Sequence, residues 1–181
     1  YKEIDFTTKW DTTGGGAYMP LTSSYTVYAR WEPITADATL GIDYILNQDG
    51  TGYIVSSMVN VPSDMTSIVV PNYYEGKPVV GIGNASIYSN PVLASNVVSI
   101  SLPNTLYQIA PDAFKQCTAL ETIEIPASVK TISSDAFEGC TSLTSVTFRE
   151  GTELETIESF AFVGNTSLES VILPETLQRI G

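Results

Sequence analysis

Few side chains in this sequence can do chemistry. The 181 residues include no histidine, two cysteines, and 20 carboxylates against 8 basic groups. Without imidazole the commonest general base and zinc ligand is missing. Neither a Ser-His-Asp nor a Cys-His arrangement can be assembled, and two thiols fall short of a four-thiolate zinc site. There is no phosphate-cradling loop and no Gly-x-Gly-x-x-Gly after a strand. Carboxylate chemistry remains: Asp112 and Asp135 stand 23 positions apart, and two carboxylates flanking a glycosidic bond can hydrolyse it. The acidic turn Asn47–Gly52 has the composition of a calcium loop, but it lacks the alternating ligand spacing and the distal Glu. No catalytic residue, metal site or cofactor is therefore expected.

The spacing of those aspartates belongs to a larger pattern. Ile100 to Ile123 is 23 positions, Ile123 to Val146 is 23, and Val146 to Val171 is 25. A period in the twenties is the mark of a solenoid, each copy being one turn of a coil. The same columns are apolar in every copy, notably Ile123/Val146/Val171 and Phe114/Phe137/Phe162. Ile-x-Ile puts both side chains on one face of a strand, and the proline that follows (Pro103, Pro126, Pro174) ends it. Val129-x-x-Ile132 allows a second short extended piece. Ser133-Ser-Asp-Ala-Phe-Glu-Gly-Cys140 reads as a helical turn, with Asp112 and Asp135 at the N-terminal end that favours carboxylates. Cys117 and Cys140 share a column with Asn90 and Asn165. Coils about 4.7–4.9 Å apart would permit a disulfide. The Cβ vectors of stacked coils run parallel, however, and the exchange with Asn asks for a small group bonded to backbone. Two buried thiols are expected.

The run Cys-x-x-Leu-x-x-Ile-x-Ile-Pro-x-x-Val-x-x-Ile-x-x-x-Ala-Phe, from Cys117 to Phe137, resembles the BspA-type leucine-rich repeat. The resemblance spans roughly 68–181, with coils starting near 68, 100, 123, 146 and 171. Its first coil is degenerate, with Ile87 for Phe and Asn90 for Cys, and carries nine extra residues in 73–78 and 91–95. The family implies a leucine-rich repeat solenoid: β-rich α/β, a parallel sheet with short helical turns. It also implies large surface proteins of bacteria and protists that act in adhesion and binding.

Residues 1–35 differ in kind. Val27-Tyr-Ala-Arg-Trp31 after Asp11-Thr-Thr-Gly-Gly-Gly16 resembles the end of an internalin-type B repeat (Listeria-Bacteroides repeat). Here Phe6-Thr-Thr-Lys-Trp10 is one residue longer than the usual Phe-x-Gly-Trp. This segment is expected to be a truncated small β module of a surface stalk. Residues 36–67 join the two parts. Leu40–Leu46 and Tyr53–Met58 flank an Asp-Gly turn as a β-hairpin, which is assigned as the N-terminal cap that a solenoid's first coil requires.

The acidic balance argues against nucleic acid and against anionic membrane surfaces, and no apolar run approaches the ~20 residues of a spanning helix. The chain reads as a monomeric piece of a longer extracellular or surface polypeptide. The outward positions of the parallel sheet are Ser99, Ser101, Thr122, Glu124, Ser145, Thr147, Ser170 and Ile172. This hydroxyl stripe carries no aromatic or arginine anchor, and its first seven residues are the candidate ligand-binding set for a protein partner. Tyr73, Tyr74, Tyr88 and Tyr107 offer an alternative aromatic patch. Three functions stay open: protein binding through the repeats, a structural stalk that displays another domain, and a glycan-binding module.

Overall fold

In Thr122-Ile-Glu-Ile125 the two isoleucines are buried and Thr122 and Glu124 exposed, the period of two that a pleated strand imposes. Short strands build the described part of the chain. The computed structural model describes residues 41–58, 60–83 and 96–181; the expected module at 1–35 lies outside them, as do Tyr88 and Asn90. β1 (Asp43–Leu46) and β2 (Tyr53–Ser57) form an antiparallel hairpin. β3 (Ser67–Val69), β4 (Tyr73–Tyr74) and β5 (Lys77–Ile82) make the first coil. Each later coil repeats one long strand and one short one. These are β6 (Ser99–Ser101) with β7 (Gln108–Ile109), β8 (Thr122–Ile125) with β9 (Thr131–Ile132), and β10 (Ser145–Phe148) with β11 (Thr156–Ile157). β12 (Arg179–Ile180) follows.

Two ladders result. The front sheet runs β3-β6-β8-β10, all parallel, with Ser99 opposite Thr122 and Thr122 opposite Ser145. The back sheet runs β1-β2-β5-β7-β9-β11-β12, and β4 pairs with β5 antiparallel. The hairpin expected at 40–58 is present. Its β2 joins the back sheet beside β5, placing Val55 and Met58 fully in the core. The first coil's extra residues at 73–78 are the β4–β5 excursion. Among the described residues no helix is long and apolar enough to cross a membrane.

The third side of each coil corrects the sequence reading. Residues 111–116 and 134–139 form no helix but consecutive turns. Alternate N–H groups leave the segment: Asp112, Phe114 and Gln116 donate to the carbonyls of Ser134, Ala136 and Glu138 in the next coil. The residues between them bond within the turn, as Ala113 does to Ala110 and Lys115 to Asp112. A helix would use every N–H internally; here half of them tie coil to coil instead. The alternation needs left-handed backbone at two positions four apart, found at Asp112 and Gln116, Asp135 and Gly139, and Phe160 and Gly164. Asp112 and Asp135 thus sit at strained turn positions, not at a helix dipole.

The core is columnar. Phe114 and Phe137 are fully buried and stacked, and Phe162 stacks on Phe137 while half-buried at the last complete coil. Burying such a side chain contributes about 1.5–3 kcal/mol. Leu120, Leu143, Ile109 and Ile132 are wholly enclosed beside them. At the corners, hydroxyls answer the carbonyls that turning leaves over. Ser128 donates to Asn104 and Leu106, Thr105 to Asn72 and Val79, and Thr176 to Leu154.

Candidate functional site

The front sheet brings six of the seven expected residues onto one outward face. Ser101, Thr122, Glu124 and Thr147 are exposed, while Ser99 and Ser145 are half-buried. Ser99 donates its hydroxyl to Ser67 at 3.0 Å, extending the stripe one coil further back than the sequence indicated. Ser170 is the exception. The stretch Ser170–Leu173 was expected to open another rung, yet it forms no strand, and β10 is the last member of the ladder. On the back sheet the coils remain joined, because β12 pairs with β11.

An arginine does reach this face, contrary to the sequence reading. Arg149 occupies the column that holds Pro103 and Pro126 in the preceding coils, and so continues the outward alternation of Ser145 and Thr147. Its Nε donates to Glu124 Oε2 at 2.7 Å, another guanidinium nitrogen donates to Asn104 Oδ1, and a third reaches the Leu102 carbonyl at 3.5 Å. One side chain therefore spans three coils, and Glu124 is engaged rather than bare. Beyond Arg149, the two residues that lengthen this coil, Glu150 and Gly151, form a turn in the loop that follows β10. Between that loop, β10 and the 170–174 stretch lies an open groove of about 580 Å³. Ser145, Thr147, Phe148, Ser170, Ile172 and Leu173 contribute to its lining.

The other candidates separate from this face. Asp112, Asp135 and Glu138 bring carboxylate oxygens within 4.8 Å of one another. Lys115 fills their midst, 3.0 Å from Asp112 and 2.6 Å from Glu138. The hydrogen bond to Lys115 holds Glu138 below the usual carboxylate range, whereas burial, then hydrogen bonding to Glu138, pushes Asp135 up. No residue of this cluster lines that groove. At the hairpin tip, Asp49 accepts from the Thr51 N–H and hydroxyl at 3.0 and 2.6 Å, and its carboxylate serves the turn.

No disulfide joins Cys117 and Cys140, and both are buried. The column does bond to backbone. Cys140 Sγ donates to the Phe114 carbonyl at 3.1 Å, and Asn165 Oδ1 accepts from the Cys140 N–H at 3.0 Å. Hydrogen bonding to Cys117 holds the Cys140 thiol below its ordinary value against burial, which raises it. The aromatic patch is composed differently from expectation. Tyr74 stacks on Tyr44 at 4.0 Å and meets Tyr53 edge-on at 4.9 Å, while Tyr73 and Tyr107 are exposed. Burial, then the charge of Tyr74, pushes the Tyr44 hydroxyl up to about 12.

A family model described as a BspA type leucine rich repeat region matches residues 85–181 in six copies. The chain belongs to the BspA-type leucine-rich repeat family. Solved structures similar to it include a Treponema pallidum leucine-rich repeat protein, 22% identical, with a TM-score of 0.46, covering 75% of this chain and 81% of that one. A Bacteroides ovatus leucine-rich repeat protein is 20% identical, with a TM-score of 0.43, covering 76% and 53%. A leucine-rich cell surface protein of Faecalibacterium prausnitzii is 22% identical, with a TM-score of 0.35, covering 78% and 49%. The matched part of this chain thus spans about half the length of the latter two. No curated protein matches the chain. In this BspA-type array, Arg149 is the site residue that sequence reasoning missed. Its signal was the break in the proline column.

Proposed function

We propose that the chain is a non-enzymatic protein-interaction module of an extracellular or surface protein of bacteria, monomeric, and that its partner contacts the outward face of the front sheet. Ser99, Ser101, Thr122, Glu124, Ser145 and Thr147 make that contact, with Ser170 beside the groove. Under this reading residues 36–67 cap the array and residues 1–35 belong to a spacer. The supporting observation is the outward-facing stripe, in register over consecutive coils and tied by Arg149 across three of them. Repeat arrays offer such extended surfaces to partners. The test is adhesion to a cell or matrix preparation. Replacing Thr122, Glu124 and Thr147 together by Ala abolishes it if the stripe is the contact; unchanged adhesion sinks the proposal. A second reading, a stalk that displays another domain, is favoured by the absence of an aromatic anchor on the stripe. It expects the triple variant to adhere normally.

A further inference from the structure

The excursion that sets the first coil apart, β4 and β5 with the turn between them, carries a tyrosine whose ring is fixed. Tyr74 stacks on Tyr44 with centroids 4.0 Å apart and an interplanar angle of 13°. Tyr53 lies 4.9 Å from Tyr74 and 6.3 Å from Tyr44. Those separations make a right angle at Tyr74, so Tyr53 stands beside its ring and not over it. The face of Tyr74 turned away from Tyr44 is therefore met by neither ring, and the residue is 36% exposed. The rim is polar. Tyr53 donates its hydroxyl to Glu75 Oε2 at 2.7 Å. Glu75 holds φ at 47°, in left-handed backbone where a tight turn usually takes Asn, Asp or Gly. A long-stemmed carboxylate is kept there at a cost. Lys77 stands opposite Tyr74 across the β4–β5 pair, on the same face. Its Nζ donates to the Gly50 carbonyl at 2.6 Å, which uses one of its three hydrogens.

We propose that Tyr74 is the platform of a saccharide site, which takes a pyranose ring of a neutral glycan. A pyranose is amphipathic, with C–H groups on a face and hydroxyls around its edge. The C–H face lies on the bare face of Tyr74, whose ring is already ordered by Tyr44 and so loses little freedom on binding. The hydroxyls donate to Glu75 Oε1 and accept from Lys77. Among the described residues, that oxygen and the two remaining hydrogens of Lys77 Nζ carry no other hydrogen bond. A cation would also favour an aromatic face, but Lys77 repels one there, and Glu75 repels an anion. The charge pair thus selects a neutral ligand. Insertions into repeats are where such arrays often carry binding, and this one is separate from the protein contact on the front sheet.

The experiment is saturation-transfer NMR of the protein with neutral trisaccharides of glucose, galactose, mannose and N-acetylglucosamine. Expected is saturable binding of at least one, with a Kd on the order of 1 mM, strongest transfer to ring C–H protons, and no weakening by salt. Tyr74→Ala weakens it by roughly tenfold or more, as loss of an aromatic contact does, while Tyr74→Phe keeps the face and the binding. Glu75→Gln, at an exposed turn, weakens it severalfold with an unchanged melting temperature. Tyr73→Ala, on the other side of β4, leaves it unchanged. Full binding by Tyr74→Ala or by Glu75→Gln overturns the proposal, as does the lack of transfer to every one of these trisaccharides. Tetramethylammonium binding that requires Tyr74, without any sugar binding, assigns the face to a cation and overturns it too. Replacing Thr122, Glu124 and Thr147 together by Ala leaves saccharide binding intact; its loss would mean that the site is not a separate one.

Discussion

The ring of Phe137 lies 4.9 Å from that of Phe114 with an interplanar angle of 11°, although 23 residues separate them in sequence. Phe162 continues the stack at 5.2 Å and 2°. Phe137 is thus flanked by a ring on each side and has the most to lose. Phe137→Ala is expected to cost about 3–5 kcal/mol, read as a drop in the denaturant midpoint. Phe162→Ala, at a half-buried position, costs less; an equal loss would contradict a shared column.

Phe160 holds φ at 61° and is 66% exposed, in the column where Asp112 and Asp135 stand. A bulky side chain in left-handed backbone costs roughly 1–2 kcal/mol, partly offset by the entropy glycine loses on folding. Phe160→Gly should therefore stabilise by about 0.5–1 kcal/mol in thermal melts. The reverse experiment at Gly139 (φ 71°), where an added Cβ would lie 2.3 Å from the Gln116 amide, should destabilise.

The Arg149–Glu124 pair bridges coils but is open to solvent. A double-mutant cycle with Arg149→Ala and Glu124→Ala is expected to give a coupling of about 0.2–1 kcal/mol that shrinks with added salt. A coupling that ignores salt would mean the pair is drier than its exposure allows.

Cys117 and Cys140 are 1% and 0% exposed. Alkylation by iodoacetamide should be negligible in the native protein and stoichiometric at both thiols in denaturant, because reagent must wait for the coils to part. Native mass lower by two hydrogens would reveal a disulfide instead.

The Lys115 cluster makes opposite predictions for two neighbours. Glu138 is depressed by Lys115, so its contribution is present above its unfolded value near 4.3 and lost as pH falls through the depressed one. Asp135 is raised, so its ionisation opposes folding above its unfolded value near 3.9. Glu138→Gln should lower the melting temperature at neutral pH, Asp135→Asn should raise it, and both differences should fade toward low pH. Both groups are half-buried and keep some contact with solvent, so the effects will be small and salt-sensitive. Equal signs for the two variants would refute the arrangement.

Much of this was legible because apolar identity repeats in fixed columns. Ile123, Ile125, Ile132 and Phe137 declare their burial by position alone, and the β1–β2 hairpin declares itself by Asp-Gly. The turn side was misread as helix because Ser-Ser-Asp before an apolar pair also starts helices. The discriminating signal was a second residue tolerant of left-handed backbone four positions later, Gly139 or Gly164. Contacts between coils were invisible to strand-by-strand reading: Glu124 meets a partner 25 positions away. Ser170-Val-Ile-Leu173 keeps the inward apolar pair of Ser145-Val-Thr-Phe148 and changes only the outward Thr147 to Ile172, so the inward pattern carried no sign of the unpaired rung.

The turn side also gives the molecule a direction. In an ordinary sheet neighbouring peptide dipoles point opposite ways and largely cancel. Here Asp112, Phe114 and Gln116, then Asp135, Phe137 and Gly139, all aim their N–H groups toward the following coil. Their dipoles add along the solenoid axis, leaving partial positive charge at the C-terminal end of the turn side and partial negative charge at its N-terminal end. Every coil added lengthens this electrical polarity, so an array of such repeats orients in a field and greets anions at one tip.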